Sequence, residues 1–115
     1  MNITSETTGD LQILTVHAQR IDAVAAIQFK DTVRELTADH ETAVVLDLSN
    51  VDFIDSSGLG AIVAAMKHLG KERPLHLSGL TPIVSKVFAL TRMERVFRIF
   101  KSPLDALQPG EAKSA

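Results

Sequence analysis

Two adjacent serines, Ser56 and Ser57, lie behind Asp55 and in front of Gly58 and Gly60. A serine hydroxyl can act as a nucleophile or accept a phosphoryl group, which makes the segment chemically interesting. An aspartate or serine oxygen can also cap a helix by accepting from its unpaired backbone N–H groups, and either Asp55 or Ser56 suits that role. Capping explains one of these residues but not the whole cluster. The segment is therefore the first candidate for a functional site.

An enzyme would need a nucleophile, a base and a charge-stabilising group within reach of one another. The serines lack the Gly-x-Ser-x-Gly pattern of a nucleophile elbow, and the chain has no His-x-x-x-His pair for a metal. Two histidines fall at predicted exposed helix ends and two in strands that can point them outward. These histidines are His40 and His68, then His17 and His76. We therefore predict no enzyme, no catalytic residue, no metal site and no cofactor.

Asp47 closes an apolar run and invites comparison with the phosphoaspartate of response regulators. That chemistry needs further acids to hold Mg²⁺ and a distant lysine. Asp10, Asp52 and Asp55 do not supply the early acidic pair. We interpret Asp47 as a turn residue whose carboxylate accepts from nearby backbone amides.

The composition fits one globular domain: 115 residues, 45% hydrophobic and 23% charged. A net charge of −2 gives no basic stripe for nucleic acid, and the basic stretch 92–101 is interleaved with apolar residues as in an edge strand. The absence of cysteine excludes disulfides and thiolate chemistry. No signal peptide or membrane span is visible, so we predict a soluble cytoplasmic protein that neither binds nucleic acid nor inserts into a membrane.

Strand and helix patterns alternate along the chain, which predicts helices packed on a largely parallel or mixed sheet. In the helix after the serines, the predicted apolar face is Leu59, Ile62, Val63, Met66 and Leu69. Residues 108–115 are small and polar and predict a flexible tail behind a domain at 1–107. Strands are predicted at 11–16, 43–48, 74–80 and 96–100, and the stretch 51–54 leads from the second strand to the serines. Helices are predicted after Asp22 as N-cap, after 55–57, at Thr81-Pro82 with a hydroxyl cap, and at Ser102-Pro103.

The segment 54–60, Ile-Asp-Ser-Ser-Gly-Leu-Gly, resembles the phosphorylation loop of the anti-sigma-factor antagonists, whose fold is the STAS domain. The similarity extends over roughly residues 11–107. Its other matching segments are Arg20–Asp22, Val44–Leu48, Val51–Ile54 and Thr81-Pro82. The resemblance implies a single-domain α/β protein of STAS type, with a central mixed, mostly parallel sheet of four to five strands and about four helices.

In that family the first serine after the aspartate accepts the phosphate, which corresponds to Ser56. The resemblance implies that the unphosphorylated chain binds a serine-kinase anti-sigma factor and so frees the sigma factor. Phosphorylation then ends the association, and a serine phosphatase restores it. ATP and Mg²⁺ belong to the partner. The implied partner-binding residues are Asp22, Ile54, Asp55, Ser56, Ser57, Gly58, Leu59 and Gly60.

Two departures from the family pattern stand out. Residues 18–22, Ala-Gln-Arg-Ile-Asp, replace the frequent Gly-Glu-Leu-Asp, which places the cation Arg20 where an acid is usual. Arg92 stands near the position of a glycine at the end of the third helix.

The alternative function keeps the fold: an accessory STAS subunit of a membrane transporter for lipids or anions, docking on the transporter's ATPase. A small ligand-binding module is a third class. The sequence leaves open homodimerisation, the sigma factor and the choice of Ser56 over Ser57.

Overall fold

A computed structural model describes residues 1–107 of the chain. Its strands and helices alternate as the patterns predict, with three strands that the patterns do not predict, at residues 3–8, 20–21 and 53–54. The elements are β1 (Ile3–Thr8), β2 (Leu11–Val16), β3 (Arg20–Ile21), α1 (Ala23–Thr37), β4 (Ala43–Asp47), β5 (Phe53–Ile54), α2 (Ser56–Leu69), β6 (Leu75–Ser78), α3 (Pro82–Leu90) and β7 (Ile99–Phe100), with 3₁₀ turns at Met93–Arg95 and Pro103–Leu107.

The main sheet has five strands in the order β1-β2-β4-β6-β7. β1 pairs antiparallel with β2, and the other pairs are parallel. A separate two-stranded sheet joins β3 and β5 in parallel. The predicted α/β architecture with a mixed, mostly parallel sheet of four to five strands is confirmed.

The core lies between the main sheet and the helices. Phe29 of α1 and Phe88 of α3 are fully buried against Leu14, Leu46 and Leu77 of three neighbouring strands. On the opposite side of the sheet, a smaller cluster of Leu11, Ile13 and Val45 is covered by Ala106 and Leu107. β4 is thus buried on both faces, as its apolar run predicts.

Three predictions about elements are wrong. The segment 3–8 is polar and was not predicted as a strand, but as an edge strand it buries only Ile3 and is held by pairing with β2. The predicted last strand shortens to β7, because Val96 is exposed and Phe97 packs edge-to-face on Phe88. The predicted fourth helix is a 3₁₀ turn of five residues, too short for a stable α-helix.

The buried face of α2 also differs from its predicted one. Ile62 and Leu69 are buried, but the rest of the face consists of Gly58, Ala61 and Ala65. The predicted members Leu59, Val63 and Met66 are only half-buried. The small side chains let α2 pack closely beside α1.

The predicted tail, 108–115, lies outside the described residues. Within the described part of the chain, no helix is long and apolar enough to cross a membrane.

Candidate functional site

The site is built from two matching strand–aspartate–helix units that lie side by side. β3 pairs in parallel with β5, with Ile21 opposite Ile54. Each strand is followed at once by an aspartate, Asp22 or Asp55, and then by a helix. The shared register places the two aspartates at the same end of neighbouring strands, with the N-termini of α1 and α2 next to each other.

Both aspartates cap their helices. Asp22 Oδ1 accepts a hydrogen bond from the Ala25 N–H at 3.1 Å, which confirms Asp22 as N-cap. Asp55 Oδ1 accepts from the Gly58 N–H at 2.9 Å. The sequence left open whether Asp55 or Ser56 caps α2, and the structure assigns the cap to Asp55. Ser56 is therefore the first helical residue and is exposed.

The two glycines of the motif stand in different surroundings. Gly58 is buried, and a Cβ added there would collide with the carbonyl oxygen of Ile21 and lie 2.9 Å from Ile54 Cγ1. Only glycine therefore lets the first turn of α2 sit on β3. Gly60 is exposed, and an added Cβ would meet nothing within 4 Å.

The predicted partner-binding residues divide by exposure. Ile54 and Gly58 are buried, so they position the site and cannot touch a partner in this conformation. The exposed members are Ser56, Ser57 and Gly60, and the half-buried members are Asp22, Asp55 and Leu59.

A cation–aromatic pair flanks the aspartates. The Arg20 guanidinium lies 4.2 Å from the centroid of the Phe53 ring, and Arg20 Nε is 3.8 Å from Asp22 Oδ2. Sequence reasoning noted Arg20 but missed Phe53. The strand register, which sets Arg20 opposite Phe53, was the missing information.

The neighbouring surface of α1 carries two exposed apolar side chains. Val24 is 73% exposed and Ile27 is 63% exposed, both within the first two turns of α1. Sequence reasoning missed them as well. The signal that could have found them is that both are apolar but lie outside the periodic buried face of α1.

Two other predicted positions have structural roles. Asp47 Oδ1 accepts from the Ser49 N–H at 3.1 Å, which confirms the turn interpretation. The prediction that the Thr81 hydroxyl caps α3 is wrong. Thr81 occupies the N-cap position, but its hydroxyl donates to the Val51 carbonyl at 2.7 Å, because that loop passes over the start of α3.

The histidines lie in separate parts of the fold and do not converge: His17 directly follows β2 instead of lying in it, and His40 lies in the loop after α1. His17 Nε2 lies 3.0 Å from Thr4 Oγ1, and His68 is exposed at the end of α2. The prediction that His76 points outward is wrong in part, because its ring is half-buried edge-on to Phe100. Burial, together with the nearby Arg98 cation, lowers the pKa of His76 below 6.5. Among residues 1–107, no three or more His, Asp or Glu side chains are grouped to hold a metal ion.

The fold and the capped loop agree with a known domain. A profile of the STAS domain matches residues 2–106. The chain belongs to the STAS-domain family. A STAS-domain-containing protein of Pseudomonas aeruginosa is 35% identical over 101 residues, covering 86% of this chain and 99% of the relative. The anti-sigma-F factor antagonist RsfB of Mycobacterium tuberculosis is 30% identical over 87 residues, covering 76% of this chain and 71% of the relative.

Solved STAS structures superpose over nearly the whole chain. An anti-sigma factor antagonist from Mycobacterium paratuberculosis gives a TM-score of 0.82 at 28% identity, covering 94% of this chain and 92% of that one. The STAS fold also occurs inside the murine Slc26a9 anion transporter, with a TM-score of 0.78 at 18% identity, covering 93% of this chain but 18% of the transporter. The fold is thus shared by an antagonist and an anion transporter, so the fold by itself does not decide between the two roles.

Proposed function

We propose that this STAS protein is an anti-sigma-factor antagonist: unphosphorylated, it binds a serine-kinase anti-sigma factor, and phosphorylation of Ser56 releases it. One observation carries the proposal. Ser56 is exposed on the first turn of α2, while Asp55 performs the capping. The hydroxyl is therefore available for modification without loss of the cap. Relatives named as antagonists of anti-sigma-F and anti-sigma-B factors support the same role.

The first turn of a helix can hold a phosphate without unfolding. A phosphoserine carries about −1.5 to −2 charges at neutral pH. Unpaired N–H groups and the helix dipole at the start of α2 favour an anion there. Because the acceptor is exposed, the phosphate displaces no buried group. The fold of the phosphorylated chain therefore stays close to that of the unmodified chain.

The same phosphate changes the surface that a partner meets. Asp55 precedes Ser56 directly, and Asp22 occupies the matching position on the neighbouring unit. A phosphate added to two carboxylates makes the patch strongly acidic. A partner that fits a small neutral hydroxyl then meets charge repulsion and a desolvation cost. Release follows from the interface and needs no change of fold.

The chemical step belongs to the kinase. A bond forms between Ser56 Oγ and the γ-phosphorus of ATP, while the bond from that phosphorus to the β,γ-bridging oxygen breaks and ADP leaves. The hydroxyl proton passes to a base on the kinase or to water. ATP and Mg²⁺ arrive with the kinase. A serine phosphatase reverses the modification by hydrolysis, returning inorganic phosphate and the free hydroxyl.

The proposal is tested with wild type and with Ser56→Ala, Ser56→Asp and Ser57→Ala as baits in a host lysate. We expect a serine kinase on every bait except Ser56→Asp. Incubation with this kinase and Mg-ATP should add one phosphate to wild type and Ser57→Ala, and none to Ser56→Ala, by intact-mass spectrometry. Retention of the kinase by Ser56→Asp, or phosphorylation of Ser57 instead, contradicts the proposal. A transporter ATPase on all four baits would favour the accessory-subunit function.

Amide NMR spectra check that release acts through the interface. Phosphorylated and unmodified chains should give similar spectra, with shifts concentrated around Ser56 and the start of α2. Shifts spread across the core strands would instead indicate a change of fold.

A further inference from the structure

No contact within the described residues 1–107 explains why position 60 is a glycine. Gly60 lies inside α2. At such a position glycine makes the helix less stable than alanine would, because glycine loses more backbone entropy on folding. Its surroundings would accept a methyl group, since an added Cβ meets nothing within 4 Å. Gly58 offers the contrast, because packing against Ile21 requires it. Packing within the described residues therefore does not require glycine at position 60.

The position of Gly60 relative to Ser56 indicates a reason for the glycine. Ser56 and Gly60 are four residues apart in one helix, so they share a face. Side chains in an α-helix lean toward the N-terminus and cover the turn before their own Cα. Any side chain at position 60 would therefore lean over the surface beside Ser56.

We propose that Gly60 is a clearance residue: it leaves a bare strip of helix over which the anti-sigma kinase approaches closely enough to reach the Ser56 hydroxyl. This inference rests on the proposed function and adds a requirement on the partner. The kinase segment that covers Ser56 must pack directly on the backbone of α2 at Gly60. A partner that reached Ser56 from the opposite side would not need the glycine.

The kinase segment that packs on Gly60 is expected to be apolar. Val24 and Ile27 are exposed near the start of α1, which packs beside α2. A shallow cleft between the two helices is lined by Lys30 and Ala64, and Ile27 and Gly60 stand one turn earlier on each helix. Val24 and Ile27 stand three residues apart on one side of α1, and such neighbouring exposed apolar groups are typical of a contact surface. An apolar partner segment seated on Gly60 would bury them at the same time.

The test uses Gly60→Ala and Gly60→Leu, with Ala89→Leu as control, because Ala89 is an exposed helical residue of α3. The probe is the purified serine kinase that wild type retains, with Mg-ADP for binding and Mg-ATP for phosphorylation. Gly60→Ala should raise Tm by about 3 °C and weaken binding about threefold. Gly60→Leu should weaken binding and slow phosphorylation more than about tenfold, with Tm no lower than wild type. Ala89→Leu should bind as wild type does.

Different results would contradict the clearance role of Gly60 and the proposed function. Wild-type binding and phosphorylation by Gly60→Leu would overturn the clearance function and leave the proposed function standing. A lower Tm for Gly60→Ala would also overturn it, because the glycine would then serve the fold. Failure of wild type itself to bind any serine kinase would overturn the proposed function and the inference with it.

Discussion

Asp22 and Asp55 are structural counterparts: each follows one strand of a parallel pair and caps the helix that comes next, through its Oδ1 atom and the N–H three residues later. This pairing brings two helix N-termini together beside the exposed Ser56. It also concentrates two carboxylates near Ser56, while the cap of α2 is made by Asp55 and not by the serine. The site thus combines a fixed acidic frame with a hydroxyl that is available for modification.

Replacing the cap of α2 should weaken the fold. Asp55→Ala removes the acceptor for the Gly58 N–H, so we expect the free energy of unfolding to fall by about 1 kcal/mol. Asp55→Asn keeps an oxygen in the same place and should lose much less. Urea denaturation of both variants measures the difference. Equal losses would show that the charge of Asp55, and not its hydrogen bond, stabilises the helix.

The two glycines of the motif should respond in opposite directions to the same substitution. Gly58→Ala forces a methyl group onto the Ile21 carbonyl, so we expect a loss of about 1–3 kcal/mol in the free energy of unfolding. Gly60→Ala, two residues away in the same helix, should be stabilising. Urea midpoints of the two variants provide the comparison. A small effect at Gly58 would mean that α2 can move away from β3 at little cost.

Arg92 is strained, and glycine should relieve the strain. Its φ of 63° lies in the left-handed region, and it is the one non-glycine residue with a positive φ in the described chain. We expect Arg92→Gly to raise the free energy of unfolding by about 0.5–1 kcal/mol, since the gain is offset in part by glycine entropy. Arg95→Gly, in the adjacent 3₁₀ turn, should destabilise instead. Stabilisation by both changes would argue against backbone strain as the cause.

Stability should depend on the protonation of His76. Its pKa in the folded chain is lowered by burial and by Arg98, so the unfolded chain takes up a proton at higher pH than the folded one. The contribution of neutral His76 is therefore complete above about pH 6.5 and is lost as the pH falls toward the folded pKa. The urea midpoint of wild type should drop between about pH 7.5 and pH 5.5, and less so in His76→Gln.

His68→Gln is the matched control for this pH dependence, because His68 is exposed at the end of α2. It should keep the wild-type drop. An unchanged drop in His76→Gln would assign the acid sensitivity to other groups.

Features that depend on a few consecutive residues could be predicted from the sequence. The Asp22 cap needs only an acceptor ahead of a helical segment, and the turn role of Asp47 needs only amides two residues away. The apolar run of β4 predicted a strand buried on both faces. The motif from Asp55 to Gly60 marked the site and, through its resemblance, the family.

Features that join distant segments were decided by the tertiary structure. β1 is polar and exists because β2 pairs with it, so its own residues carry no strand pattern. The Thr81 hydroxyl donates to the Val51 carbonyl, which is 30 residues away in the sequence. Only the tertiary structure brings these two groups together.

The same division runs through the candidate site. Sequence alone determined that an aspartate, two serines and two glycines open one helix. Only the packing of α2 on β3 showed that Gly58 is required by the fold and that Gly60 is not. Only the register of β3 on β5 brought Arg20 to Phe53 and Asp22 beside Asp55. The physical reason is that a helix cap is a local hydrogen bond, whereas register and burial depend on contacts between residues about thirty positions apart.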